Sequence, residues 1–183
     1  RIDAEGNLAF SRRQPSERPP SEGEVVNVLH LSDLHFSQLA QADVWYGQLA
    51  EDLKELECDR VHALVLSGDL TQRADRQEFE AVRRFLLRLS ADIRLSPGQV
   101  VVVPGNHDLS WSLSKAAYSF HRREDYKAVL EEGRFIAHGT EVIEVRDDAA
   151  YQRRFEPFTE FYAQIKGTPY PIEPDAQLDV QDF

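Results

Sequence analysis

The chain has a single cysteine, Cys58, among its 183 residues. One cysteine excludes an intrachain disulfide framework and any zinc site built from several cysteines. No apolar stretch reaches the roughly 18 residues that a membrane-spanning helix needs, and no segment has the pattern of a secretory signal peptide. These absences predict a protein of the reducing cytoplasm, without membrane contact, in which Cys58 is an inert core residue on a helix.

Basic residues are the minority among the charged ones. The chain has 21 Lys and Arg against 32 Asp and Glu, which gives a formal net charge of −11. Surfaces that bind nucleic acid generally carry a basic footprint. Nucleic acid is therefore not expected as a partner.

The length of the chain and its 42% hydrophobic content predict a single domain with one sizeable core. Residues 1–24 are polar, contain three prolines and lack apolar periodicity, so they are predicted to form a flexible leader or linker. The folded domain is expected to cover residues 25–183.

Three short runs rich in valine and leucine predict strands buried on both faces. Between them, residues 45–56 and 79–89 carry apolar side chains at helical spacing, and the second helix is expected to follow an N-cap at Asp75. Strands that alternate with helices favour a parallel sheet with right-handed crossovers, so the predicted fold class is α/β. The strand runs are residues 25–31, 61–66 and 99–103.

The later part of the chain has a weaker pattern. Residues 121–133 predict a short helix, and residues 134–145 predict a β-hairpin that turns at its glycine. Apolar residues at helical spacing in 151–165 predict another helix, which Pro157 must kink or restart.

A polar cluster follows each predicted strand. The clusters read SDLHF after the first strand, SGDLTQR after the second and PGNHD after the third. The carboxyl ends of parallel strands lie at one edge of the sheet, where open α/β sheets place their ligand sites. We therefore expect the three clusters to meet.

Each of the first two clusters allows two interpretations, one as metal ligands and one as structural residues of a loop. If the chain stays extended, Asp33 and His35 point to the same side and can hold one cation together. The alternative is a capping aspartate and a hydrogen-bonded histidine in a loop. Asp69 follows a glycine at the mouth of the second strand and is either a metal ligand or a helix-cap or turn residue.

The third cluster is chemically more specific. Asn106 offers an amide oxygen to a cation, His107 offers a proton donor, and Asp108 can hydrogen-bond the histidine and fix its tautomer. Carboxylates that gather at one edge without compensating charge are costly, and this favours metal binding for the combined clusters.

These blocks, DLH at 33–35, GD at 68–69 and GNHD at 105–108, resemble the calcineurin-like metallophosphoesterases in order and in the strand that precedes each block. The resemblance implies an αββα sandwich with two divalent metal ions, commonly manganese, iron, zinc or magnesium. It implies the following roles: Asp33 and His35 bind the first metal, Asp69 bridges both, Asn106 binds the second, His107 is the catalytic histidine facing the leaving group, and Asp108 orients it.

The sequence departs from the family pattern after the third block. The family continues with a later histidine and a Gly-His-x-His block, and neither occurs here; His138 is the nearest candidate for a further ligand. We therefore expect an incomplete sandwich, the N-terminal portion of the fold, whose partners are further domains or the missing C-terminal half.

The implied function is hydrolysis of a phosphomonoester or phosphodiester by a water that metal ions activate. Two alternatives stay open. One is a nuclease of the same superfamily, although the acidic balance counts against it. The other is a catalytically inactive binding or scaffold module of a larger protein.

Overall fold

The computed structural model of the protein describes residues 26–58 and 60–171. The predicted leader, residues 1–24, lies outside the described residues. No helix within the described ranges has the length and apolar character needed to cross a bilayer.

A three-stranded parallel sheet is the centre of the fold. Its strands are β1 (Val28–Leu31), β2 (Ala63–Ser67) and β3 (Val100–Val103), in that spatial order. Leu29 lies opposite Leu64 in the ladder. The short valine and leucine runs thus form adjacent strands in chain order, which confirms the predicted α/β class with a parallel sheet.

Two long helices connect these strands and cover the sheet. They are α1 (Gln41–Glu55) and α2 (Arg76–Asp92), and they pack against each other. Because the strand order runs in one direction and parallel crossovers are right-handed, both helices lie on the same face. That face contributes alternate residues to the buried core: Leu29, Leu31, Leu64, Leu66, Val100 and Val102.

The opposite face of the sheet is more exposed. Val28 has 55% of its surface exposed, His30 is exposed, and Val65 and Val101 are half-buried. The prediction that the strands are buried on both faces is therefore wrong for the described part of the chain. The physical reason is that both crossover helices cover the same side.

The start of α2 has a hydrogen-bonded cap. The buried carboxylate of Glu78 accepts from the backbone N–H of Asp75 at 3.2 Å and of Arg73 at 2.7 Å. These contacts satisfy donors that precede the first helical turn. The helix begins directly after Asp75, as predicted.

The region after β3 contains a second sheet. Its strands are β4 (Tyr118–Arg122), β5 (Phe135–His138) and β6 (Val142–Arg146), all antiparallel, in the order β4, β6, β5. The hairpin of β5 and β6 confirms the prediction. The predicted helix over residues 121–133 is wrong, because residues up to Arg122 pair with β6 and Val129 is 85% exposed, which leaves no apolar face for a helix to bury.

Three short helices complete the fold. They are α3 (Trp111–Ala116), α4 (Asp148–Gln152) and α5 (Glu156–Lys166). Pro157 lies in the first turn of α5, where its missing N–H costs nothing, so the helical stretch restarts there as predicted. The ring of Phe161 stacks on Phe79 of α2 at 5.1 Å and fixes α5 to the core.

Replacing Phe36 tests how the core supports the loop that follows β1. Its ring is fully buried and lies 5.5 Å from the ring of Phe85. Phe36→Ala is expected to lower the free energy of unfolding by about 3–5 kcal/mol, because it leaves a cavity. Leu39→Ala, at a 43% exposed position, should stay within about 0.5 kcal/mol. Urea denaturation measures both, and equal effects would contradict the packing described.

Candidate metal centre

The loops after β1 and β2 run side by side. The N–H of Asp33 donates to the carbonyl oxygen of Gly68 at 3.2 Å, and the N–H of His35 donates to the carbonyl oxygen of Asp69 at 3.0 Å. The parallel pairing of the two strands thus continues into the polar clusters. This continuation brings the first two motif blocks together.

The backbone of these loops is left-handed at the motif residues. The φ angles are 56° at Asp33, 47° at His35, 53° at Asp69 and 95° at Gly68. Such values are uncommon outside glycine, although aspartate and histidine tolerate them better than most residues. The chain is therefore not extended from Asp33 to His35, and that part of the sequence interpretation is wrong.

The three side chains nevertheless converge. A ligand atom from each of Asp33, His35 and Asp69 lies within 4.8 Å of the other two. The Nδ1 atom of His35 is buried and has no hydrogen-bond partner among the described residues. Two carboxylates and an imidazole form a donor set that fits a divalent cation.

The loop after β3 joins this cluster through close backbone contact. The N–H of His107 donates to Oδ1 of Asp69 at 3.0 Å. A Cβ atom at Gly68 would lie 2.6 Å from the backbone nitrogen of Gly105, and one at Gly105 would lie 2.2 Å from Oδ1 of Asp69. Only glycine at both positions allows this approach. The imidazole of His107 reaches the cluster edge-on, with its centroid 4.8 Å from that of His35.

Asp108 is fully buried beneath these loops. Its Oδ1 accepts from the N–H of Thr71 at 2.8 Å and from the Thr71 hydroxyl at 3.0 Å. Its Oδ2 accepts from the N–H of Gly105 at 2.9 Å and of Leu70 at 3.2 Å. Burial raises the pKa of the Asp108 carboxyl, and the four donors oppose that increase.

The contacts of Asp108 correct its predicted role. Nδ1 of His107 lies 2.8 Å from the carbonyl oxygen of Gln72, so this carbonyl, and not the carboxylate of Asp108, is the partner of the imidazole. Asp108 instead ties the second and third loops together. The sequence interpretation also missed Thr71, whose only signal was a hydroxyl residue two positions after Asp69.

Asn106 begins the short 3₁₀ turn that also contains His107 and Asp108. Asn106 is exposed, and its backbone carbonyl oxygen accepts from the indole N–H of Trp111 at 2.9 Å. It thus lies next to the cluster in the chain. Its role as a metal ligand stays a prediction.

The remaining histidines have other contacts. His30 lies 2.7 Å from the Ser67 hydroxyl. The other three bond to Asn27 (His62), Ser119 (His121) and Glu144 (His138). The candidate ligand His138 is the one paired with Glu144, at 3.0 Å. No histidine other than His35 belongs to the carboxylate and imidazole cluster in the described part of the chain.

A surface groove elsewhere on the molecule does not coincide with the cluster. It has a volume of about 1060 Å³ and lies among α2, α3 and α5, where Asp75, Ser110 and Glu156 are part of its wall. None of Asp33, His35 and Asp69 lines it. The convergence of ligand atoms is therefore the stronger guide to the chemistry.

Removing the charge of Asp108 tests its structural role. An amide at this position has one acceptor oxygen and a donor group, which would face backbone N–H donors. Asp108→Asn is therefore expected to lower the free energy of unfolding by at least about 2 kcal/mol. The exposed Asp125→Asn is the control. Equal stability of the two variants in urea denaturation would sink this assignment.

The close approach of the glycine loops gives a second test. Gly105→Ala is expected to push Asp69 away and to cost about 1–3 kcal/mol of stability, together with a loss of metal affinity. Gly47→Ala in α1, where a Cβ meets nothing within 4 Å, should instead stabilise by about 0.5–1 kcal/mol. Thermal unfolding and metal titration measure both variants, and a fully tolerated Gly105→Ala would contradict the geometry.

The comparisons with known proteins agree with the motif blocks. A family model described as calcineurin-like phosphoesterase matches residues 26–177, which include all three loops of the cluster. A search of curated proteins finds no match. This family generally uses divalent metal ions, and the Asp and His cluster is compatible with them. The chain belongs to the calcineurin-like phosphoesterases.

Proposed function

We propose that this protein hydrolyses a phosphomonoester or phosphodiester with divalent metal ions. The observation that carries the proposal is the convergence of Asp33, His35 and Asp69 at the carboxyl edge of the parallel sheet. Membership of the phosphoesterase family supports the reaction class.

The proposed centre would hold two divalent ions, of manganese, iron, zinc or magnesium. Asp33 and His35 would bind the first ion, Asp69 would contribute to both, and Asn106 would bind the second. A carboxylate has several acceptor positions on two oxygens, so Asp69 can accept from the N–H of His107 and still supply ligand atoms. Bound divalent cations supply polarisation of a phosphoryl oxygen and lower the pKa of the attacking water.

His107 is proposed to give a proton to the departing oxygen. A carbonyl oxygen can only accept, so the contact with Gln72 places a proton on Nδ1. Nε2 is then the nitrogen available to the substrate. In the imidazolium form, Nε2 donates its proton to the leaving alkoxide, and Nδ1 keeps its hydrogen bond to the carbonyl.

A binding module without catalysis is the second candidate. One observation favours it: among the described residues only three carboxylate or imidazole groups converge, whereas His30, His62, His121 and His138 have contacts elsewhere. Such a centre would bind a cation and a phosphate group without turnover.

Asp69→Asn tests whether Asp69 binds metal or has a purely structural role, and the activity of the parent chain separates the two candidate functions. The variant is expected to lose at least about 100-fold in metal affinity, because outer-shell changes alone cost 10- to 100-fold. Calorimetric titration with manganese measures the affinity. Hydrolysis of 4-nitrophenyl phosphate and its bis-ester measures activity, and chelator should lower the melting temperature of the parent chain.

Asp125→Asn serves as the matched control, because this aspartate is exposed in the loop between β4 and β5. It should leave affinity and activity at the parent level. Metal binding by the parent chain without hydrolysis of either ester would favour the binding module. Unchanged metal affinity in Asp69→Asn would contradict the bridging role.

A further inference from the structure

A large aromatic side chain stands exposed beside the candidate centre. Trp111 is the first residue of α3, three positions after Asp108, and 61% of its surface is exposed. Exposed apolar surface is common singly and needs no explanation by itself. The contacts of this indole with residues of the third loop indicate a specific role.

The indole has a fixed position. Its N–H donates to the carbonyl oxygen of Asn106 at 2.9 Å, and its ring centroid lies 5.6 Å from that of His107, at an interplanar angle of 38°. The ring of His107 in turn lies 4.8 Å from that of His35. Two successive ring contacts thus connect the indole to the carboxylate cluster.

The indole offers only its ring to a ligand. Its single donor is already bonded to Asn106, and an indole has no acceptor. A flat, immobilised ring is suited to stacking on another planar group. Phe120, which is also exposed, has its ring centroid 5.5 Å from that of His138, with the ring planes tilted by 45°, and His138 is not a residue of the cluster.

We propose that Trp111 is a stacking platform for a planar aromatic group on the leaving side of the phosphoester. The inference rests on the proposed function, because His107, the neighbour of the indole, is the residue assigned to the leaving group. The favoured substrates are therefore aryl or nucleoside phosphoesters. A long nucleic acid is disfavoured by the net charge of −11.

The kinetic test compares the hydrolysis of phenyl phosphate with that of butyl phosphate. The release of inorganic phosphate is measured for each ester in the presence of manganese. The preference for the aromatic ester is the kcat/KM for phenyl phosphate divided by the kcat/KM for butyl phosphate. Trp111→Ala is expected to lower this ratio about tenfold, because the free energy of stacking a base on an aromatic side chain corresponds to a change of that size. Trp111→Phe keeps a ring and should retain most of the ratio. Phe120→Ala is the control and should leave it unchanged.

The binding test needs no turnover. The chain has two tryptophans, Trp45 and Trp111. Titration with phenylphosphonate, which cannot be hydrolysed at its carbon–phosphorus bond, should change the tryptophan emission of the parent chain and of Trp45→Phe. The change should vanish in Trp111→Phe, and butylphosphonate should produce none. Adenosine monophosphate is the third ligand. Comparing its emission change with that of phenylphosphonate distinguishes a preference for nucleosides from one for simple aryl groups.

Each outcome bears on one proposal. If Trp111→Ala and Trp111→Phe impair both esters equally, the indole acts through its hydrogen bond to Asn106, and the platform is overturned. Absence of an emission change with either aromatic ligand also overturns it. Absence of hydrolysis of every ester by the parent chain overturns the proposed function, whereas an emission change assigned to Trp111 would then still support stacking.

Discussion

The candidate centre depends on one buried carboxylate. Asp108 accepts four hydrogen bonds from three residues on two loops, those of Leu70 and Thr71 after β2 and that of Gly105 after β3. A buried charge is tolerated only when such donors compensate it. The same bonds join the loops after β2 and β3, where Gly68 and Gly105 lie in close contact. Asp69 and His107 are therefore neighbours because of a residue that is not itself a member of the cluster.

The second requirement is the core beneath the loops. Leu34 and Phe36 are fully buried next to Asp33 and His35, which face the cluster. Alternate residues of one short segment thus serve packing and chemistry. The hydrophobic effect anchors the loop, and the left-handed backbone at the motif residues is held by the ladder to the neighbouring loop. Stability and ligand geometry are coupled in this segment.

Much of this arrangement could be predicted from local patterns. The valine and leucine runs indicate strands, the helical spacing before and after them indicates crossovers, and parallel pairing then requires the three clusters to share an edge. The role of Asp108 could not be predicted, because which donors surround a buried carboxylate depends on tertiary packing. The exposed face of the sheet and the strand β4 were missed for the same reason: burial and pairing depend on partners distant in sequence. Pro157, whose effect is local, was predicted correctly.

The left-handed residues have a further consequence for how a cation would bind. Asp33, His35 and Asp69 lie in rarely populated backbone conformations, and the backbone hydrogen bonds between the loops after β1 and β2 involve all three of them. A substitution that weakened these bonds would relax the backbone strain and displace the donor atoms at the same time. The spacing of the donors is therefore set by the loop backbone as much as by the side chains.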